Sequence, residues 1–293
     1  MPRKLRRKAR PKGRAFFVPA IVMMVLAGCE SVTGVFGERA DVAAHIATGA
    51  KMEPFFVETG QFELTGYKRF RDPSSREVSI YIEGDGLAFL DATTVSRDPT
   101  PRDPVSLRLA AHDPSANVAY LARPCQFQTA ERLSRCNYAY WTNARFAPEL
   151  VREMNIAVDA IVQASGADRV RLYGYSGGGV IAALLAGQRP DVVFLATAAA
   201  PLDHGEWTRI GRYSPLDRSL DAIDQVQTIK RVPQVHFAGA DDSLVPKLVI
   251  KRFAERVHAE GGDVAFVTVP GTDHYCCWQD AWPALYRDWV RKP

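Results

Sequence analysis

The chain of 293 residues has little of what metal and redox proteins use: five cysteines, five methionines and six histidines. It contains no Cys-x-x-Cys and no His-Glu-x-x-His spacing, so the common zinc frameworks are missing, and no metal and no organic cofactor is expected. No internal repeat and no low-complexity segment interrupts it, and an apolar fraction of 47% excludes general disorder. Basic clusters are absent beyond the first fourteen residues. That matters because the formal net charge of +4 would otherwise suggest a nucleic-acid partner. Eight of the 37 Lys and Arg residues fall between Arg3 and Arg14; without them 29 basic residues face 33 acidic ones. The remainder is net acidic, and no nucleic acid is expected as a partner.

The basic segment is followed by the apolar run "AFFVPAIVMMVLAG" from Ala15 to Gly28 and then by Cys29. A positive stretch, a short apolar stretch and small residues at the end are the layout of a secretory signal. The run is too short, and too interrupted at Pro19, to read as an ordinary membrane span. "LAGC" at Leu26 to Cys29 resembles a bacterial lipobox, which implies cleavage before Cys29 and lipidation of its thiol. The expected organisation is a signal peptide over 1–28, a tether over 29–58 and one domain over 59–293. The expected location is the bacterial cell envelope, with the domain held to a membrane through lipidated Cys29 and facing the periplasm or the exterior.

Four cysteines then remain, Cys125, Cys136, Cys276 and Cys277, in a compartment that permits disulfides. Three pairings are possible. Cys125 and Cys136 bracket one short loop and could close it, whereas Cys276 and Cys277 are adjacent. A bridge from Cys276 or Cys277 toward the Cys125 loop is the other pairing considered.

From about residue 60, short apolar runs alternate with helical patterns. Strands are expected at 78–84, 117–123, 169–174, 192–200, 234–239 and 264–271, and "GQFELTGYKRF" near residue 60 reads as an antiparallel edge strand. Pro148 opens a helix that Gly166 stops, and Pro246 opens another that Gly261-Gly262 ends. Continuous apolarity in the strands and the regular alternation argue for an α/β domain, with a mostly parallel central sheet covered by helices on both faces. "SRDPTPRDP" from Ser96 to Pro104 is a loop. The longer irregular segment 201–224 has the look of a region that touches substrate.

One stretch carries most of the chemistry. "RVRLYGYSGGGVIAALLAG" places Ser176 in a G-x-S-x-G context, Gly174 to Gly178, between a strand pattern and a helix pattern. A serine on such a turn presents its oxygen outward at a helix N-terminus, and the close approach of helix to strand demands glycines beside it. Serine needs a base, and the base needs a carboxylate to orient it. His45, His112, His236 and His258 sit where structural roles are expected. His274 lies just past the last strand in "VPGTDHYCCW", and Asp241 and Asp242 directly follow the preceding one in "FAGADDSLVP".

The chain resembles the α/β-hydrolases, on G-x-S-x-G at Gly174 to Gly178, "GADDSLVP" at Gly239 to Pro246 and "PGTDH" ending at His274. The resemblance spans roughly residue 60 to the C-terminus and implies the α/β-hydrolase fold with Ser176, Asp242 and His274 as catalytic residues. The family pattern around the acid favours Asp242 over Asp241. It also implies an oxyanion hole from the amide of Gly177 and one in "YIEGDGLAF", where Asp85 and Gly86 are the candidates. Members often carry His-Gly there; this chain has Glu83-Gly84-Asp85-Gly86. A carboxylate beside a developing negative charge is unfavourable unless turned away or hydrogen-bonded. His204 and Trp207 are candidate pocket residues, and Tyr275 to Trp278 surround the base.

The activity implied is cleavage of a carboxylic ester, or less readily an amide, through an acyl-enzyme on Ser176. The expected partner is a small-molecule or lipid ester, and no partner protein is expected. An acyltransferase would use the same groups with another acceptor, and a non-catalytic envelope module would keep the fold alone.

Overall fold

The structure, a computed structural model, describes residues 34–291. The signal peptide expected over 1–28 and the lipidation expected at Cys29 lie outside the described residues. In chain order the elements are α1 (Gly34–Gly49), β1 (Glu53–Glu58), β2 (Glu63–Phe70), β3 (Glu77–Ile82), α2 (Val105–Ala111), β4 (Asn117–Leu121), α3 (Ala130–Leu133), α4 (Pro148–Ser165), β5 (Arg169–Tyr175), α5 (Gly177–Gln188), β6 (Val192–Ala198), α6 (His204–Gly211), α7 (Val226–Ile229), β7 (Gln234–Gly239), α8 (Lys247–Ala259), β8 (Val264–Val269) and α9 (Trp278–Leu285).

The eight strands form one sheet in the order β1-β2-β4-β3-β5-β6-β7-β8. β2 runs antiparallel to both its neighbours, and every pair from β4 through β8 is parallel. The six parallel strands expected from apolar runs are all present. Their connecting helices cover both faces, because alternate side chains of each strand point to opposite sides. Val170 and Leu172 of β5 join a cluster with α4, α5, α7 and α8, whereas Tyr173 and Tyr175 join a second cluster with α1, α2 and α9. α5 is buried almost all round, from Gly177 to Ala186, as its uniformly small and apolar sequence requires. On the opposite face Tyr81 stacks on Tyr173 at 4.3 Å, and Trp282 meets both rings edge-on at 6.0 Å.

Two expectations are corrected. The run near residue 60 forms β2, an inner strand, and the edge is β1, made from residues assigned to the tether. Pro54 inside "EPFFVE" hides this strand from a sequence reading, since proline cannot donate to a ladder; an edge strand tolerates it. α1 is likewise part of the domain. It buries Ala43 and Ala47, and Arg39 Nη1 donates to the carbonyl of Thr100 at 3.0 Å while pairing with Asp98 at 3.4 Å. The domain therefore includes at least the 25 residues from Gly34 to Glu58 that the expected boundary left out, and only residues 29–33 of the expected tether fall outside the description.

The parallel arrangement has one consequence for chemistry. β3, β5, β6, β7 and β8 all end at the same edge of the sheet, so the loops that follow them share one rim. The serine, the histidine and the acid all lie in loops on that rim.

Candidate active site

Ser176 stands between the last residue of β5 and the first of α5 with φ 51° and ψ −127°. A side-chain-bearing residue seldom adopts this backbone, which costs of order 1–3 kcal/mol and persists where its surroundings enforce it. Here they do: the Ser176 amide donates to the carbonyl of Ala198 at 2.8 Å. The start of α5 also lies against the end of β3, so that a Cβ on Gly178 would fall 2.3 Å from the Ile82 carbonyl oxygen. Only glycine permits that approach.

The structure brings the three expected residues together. Ser176 Oγ is 3.1 Å from His274 Nε2, and His274 Nδ1 is 2.9 Å from Asp242 Oδ2. All three are buried. The remaining oxygen of Asp242, Oδ1, accepts from the amides of Leu244 and Val245 at 2.9 and 2.8 Å. These bonds fix the acid's orientation. Since an ionised carboxylate only accepts, Nδ1 carries the proton and Nε2 presents its lone pair to the serine hydroxyl. Asp241 is exposed, and the hydrogen bond to His274 is made by Asp242.

The loop carrying His274 is held from both sides. Tyr175 Oη donates to the His274 carbonyl, and Trp278 Nε1 donates to that of Asp273 at 2.9 Å. The Asp273 carboxylate accepts from the amides of Tyr275 and Cys276, which lower its pKa from the ordinary carboxylate value. Cys276 and Cys277 are bonded to each other, and Cys125 to Cys136. The bridge considered between the His274 loop and the Cys125 loop therefore does not form, because each partner is already committed within its own loop. A cavity of about 160 Å³ lies behind the His274 loop against Arg108 and Asp103, away from the serine.

Around the start of α5 three amides are free of carbonyl partners. That of Gly177 opens the helix and has no carbonyl one turn back. Those of Asp85 and Gly86 donate to no acceptor among the described residues. Gly84 packs directly on the serine, since a Cβ there would sit 3.2 Å from Ser176 Cβ. Gly86 has φ +65°, the left-handed conformation natural to glycine. The Asp85 side chain leans over Gly177, where an added Cβ would meet its Oδ1 at 2.0 Å. Two arginines that the sequence reading missed hold it: Arg145 Nη1 is 2.6 Å from Oδ2, and Arg123 Nη1 is 3.1 Å from Oδ1. Burial would raise the Asp85 pKa, but the attraction of Arg145 and then Arg123 brings it below the ordinary value. A signal for them existed, since a carboxylate in that turn demands a cation, but nothing in the sequence says which.

Directly before that turn, Glu83 is buried. Burial pushes its carboxyl up to about 7, against the lowering effect of the Gly84 amide, which donates to Oε1 at 2.8 Å. His236, expected to be structural, is fully enclosed between Thr197 Oγ1 at 2.8 Å and Gln234 Oε1 at 2.9 Å, and burial holds its pKa down to about 3. It stays neutral. His45, His112 and His258 are exposed, and the hydrogen bond to Ser176 is made by His274. His204 is buried with Nδ1 3.4 Å from Asp221 Oδ2 and its ring facing Phe146, and Trp207 donates to the Leu244 carbonyl at 2.7 Å in the loop that carries the acid. Among the described residues no cluster of three or more His, Cys, Asp or Glu is placed to hold a metal ion, and no helix is long and apolar enough to cross a membrane.

No protein-family model and no curated protein sequence matches the chain. Solved structures do. An acylaminoacyl peptidase from Pyrococcus horikoshii superposes with a TM-score of 0.58 at 12% identity, covering 76% of this chain; the chain spans only 38% of the peptidase's length. An alpha-beta serine hydrolase homologue from Coxiella burnetii gives 0.54 at 15% identity, with 82% of this chain and 96% of that one covered. A Pyrococcus furiosus esterase gives 0.57 at 15% identity over 83% and 92% of the two chains. Identities this low speak for a shared fold.

Proposed function

Given that the chain has the α/β-hydrolase fold, we propose that it is a serine hydrolase that cleaves carboxylic esters through an acyl-enzyme on Ser176. The observation that carries this reading is the continuous line from Ser176 Oγ through the His274 ring to Asp242 Oδ2, with contacts of 3.1 and 2.9 Å. In the first step Oγ attacks the ester carbonyl carbon while Nε2 takes its proton. His274 becomes an imidazolium between two anions, the carboxylate of Asp242 and the new oxyanion. The imidazolium then gives its proton to the leaving alcohol, and the carbon–oxygen bond to that alcohol breaks. Water, deprotonated by the same nitrogen, attacks the acyl-enzyme and releases the acid, returning the proton to Ser176.

The oxyanion is received by the Gly177 amide at the start of α5, together with that of Asp85 or Gly86, where the helix dipole adds to the attraction. Losing one such donor typically costs on the order of 10²–10³ in turnover. The arginine pair is what makes Asp85 tolerable there, because an uncompensated carboxylate at that distance would oppose the oxyanion directly.

The location belongs to the same proposal. The leader and Cys29 support lipid anchoring in a bacterial envelope, and two disulfides suit an oxidising compartment. Globomycin should then block processing of the full chain, and a Cys29→Ala form should be released from membranes by alkaline washing; retention would refute the anchor.

A panel of p-nitrophenyl esters of graded chain length tests the activity. Wild-type protein should hydrolyse some of them, and Ser176→Ala should lose roughly 10³-fold or more in kcat/KM. Equal hydrolysis by both proteins, or none by well-folded wild type, would overturn the reading.

A further inference from the structure

The cluster beside the serine carries more positive charge than its own carboxylate needs. One arginine neutralises Asp85; two leave a surplus. Arg123 and Arg145 are both buried, and neither meets a second carboxylate. Arg123 Nη2 donates to the carbonyl of Arg145, and Arg145 Nε donates to that of Thr142 at 2.7 Å. After these bonds Arg123 Nε is shut off from solvent with no acceptor, and Arg145 Nη2 has none among the described residues. A further acid that acts on Arg123, Glu83, has its own carboxyl pushed up to about 7 by burial, so near neutrality it supplies only part of a charge.

The surroundings add to the argument. Arg123 lies over the ring of Phe146 at 5.5 Å, and Arg145 over that of Trp207 at 5.9 Å. Aromatic faces orient guanidinium groups and keep water back, so each unspent N–H donor is worth more to an incoming anion. Trp207 in turn contacts Tyr213 at 5.1 Å, and Tyr213 is partly exposed.

Resting on the hydrolase reading, we propose that Arg145 and Arg123 form an anion subsite that selects esters carrying a carboxylate close to the scissile carbonyl. The substrate's carboxylate takes the donors left over after Asp85 is satisfied, and Asp85 holds both guanidinium groups in place while it lies against Gly177. The arginines thus act as specificity residues, and proton transfer stays with His274.

Two matched ester pairs test this. One is mono-p-nitrophenyl adipate against p-nitrophenyl hexanoate, which puts the charge on the acyl side. The other is 4-acetoxybenzoate against phenyl acetate, which puts it on the leaving side. Wild type should favour the anionic member of at least one pair by about 10- to 100-fold in kcat/KM, the range of a charged hydrogen bond. Arg145→Gln should collapse that ratio, Arg145→Lys should keep part of it, and Asp85→Asn should raise it, because the surplus charge grows. A purely structural role would lower both members of a pair together and leave the ratio fixed. Should Arg145→Gln not fold, the wild-type ratio and the Asp85→Asn ratio still decide. A wild type that hydrolyses neutral esters as well as both anionic partners overturns the subsite alone. Failure on every ester overturns the hydrolase reading and the subsite with it.

Discussion

The two halves of the site are built by different means. On the rim formed by β5, β7 and β8, each functional group meets partners of matching chemistry: hydroxyl to imidazole, imidazole to carboxylate, carboxylate to two amides. In the turn after β3 and the loops after β4, charges are crowded and incompletely matched, with two arginines on one aspartate. The first half is closed and suits a reaction common to many substrates. The second is open-ended, and that incompleteness is where this chain's choice of substrate is to be sought.

The comparison breaks most severely at the acid. Asp242→Asn should leave the His274 loop in place yet cost about 10⁴-fold in kcat/KM, because an amide no longer fixes the tautomer or stabilises the imidazolium. Asp241→Asn, one position away and exposed, should stay within about twofold. Steady-state kinetics on one neutral ester gives both values, and the reverse ranking would mean that the wrong carboxylate has been assigned.

The next effect sharpens the contrast by stability. Cys125–Cys136 closes the loop just beyond Arg123. Replacing both by Ser should cost about 3 kcal/mol in denaturant unfolding, the chain-entropy figure for a loop of this length. The distance between Ser176 and His274 should not change, so the neutral-ester rate should hold while the preference for anionic esters weakens. A loss of both together would mean that the two halves are one structural unit.

A smaller effect reads the polarity behind the turn. The Glu83 carboxyl, pushed by burial to about 7, releases its proton later in the folded chain than in the unfolded one. The unfolded value is about 4.3, so wild-type stability should fall as pH rises from about 4 to 7 on this group's account. Glu83→Gln cannot ionise. It should therefore gain about 1–3 kcal/mol over wild type at pH 8 relative to pH 4, measured as the difference between two unfolding curves. An unchanged difference would show that Glu83 is ionised in the fold.

These contrasts also explain what the sequence could convey. Ser176, Asp242 and His274 were legible because each lies within a few residues of a strand end, and short-range patterns mark strand ends well. The parallel strands were legible for the same reason. β1 was not, since Pro54 reads as a break and only the edge position makes it harmless. Arg123 and Arg145 were not, because their role exists only where loops from distant parts of the chain meet at Asp85. The Cys276–Cys277 pairing was open among three, because the commitment of Cys125 to Cys136 is visible only in the fold.

The central claim is that the hydroxyl beside His274 is a nucleophile. Incubating well-folded wild type with a fluorophosphonate at pH 8 and mapping the adduct by peptide mass spectrometry tests it most directly. A single phosphonylated site at Ser176, lost in Ser176→Ala and greatly slowed in His274→Ala, is the expected result; a folded protein left unlabelled, or an adduct on any other residue, would contradict it.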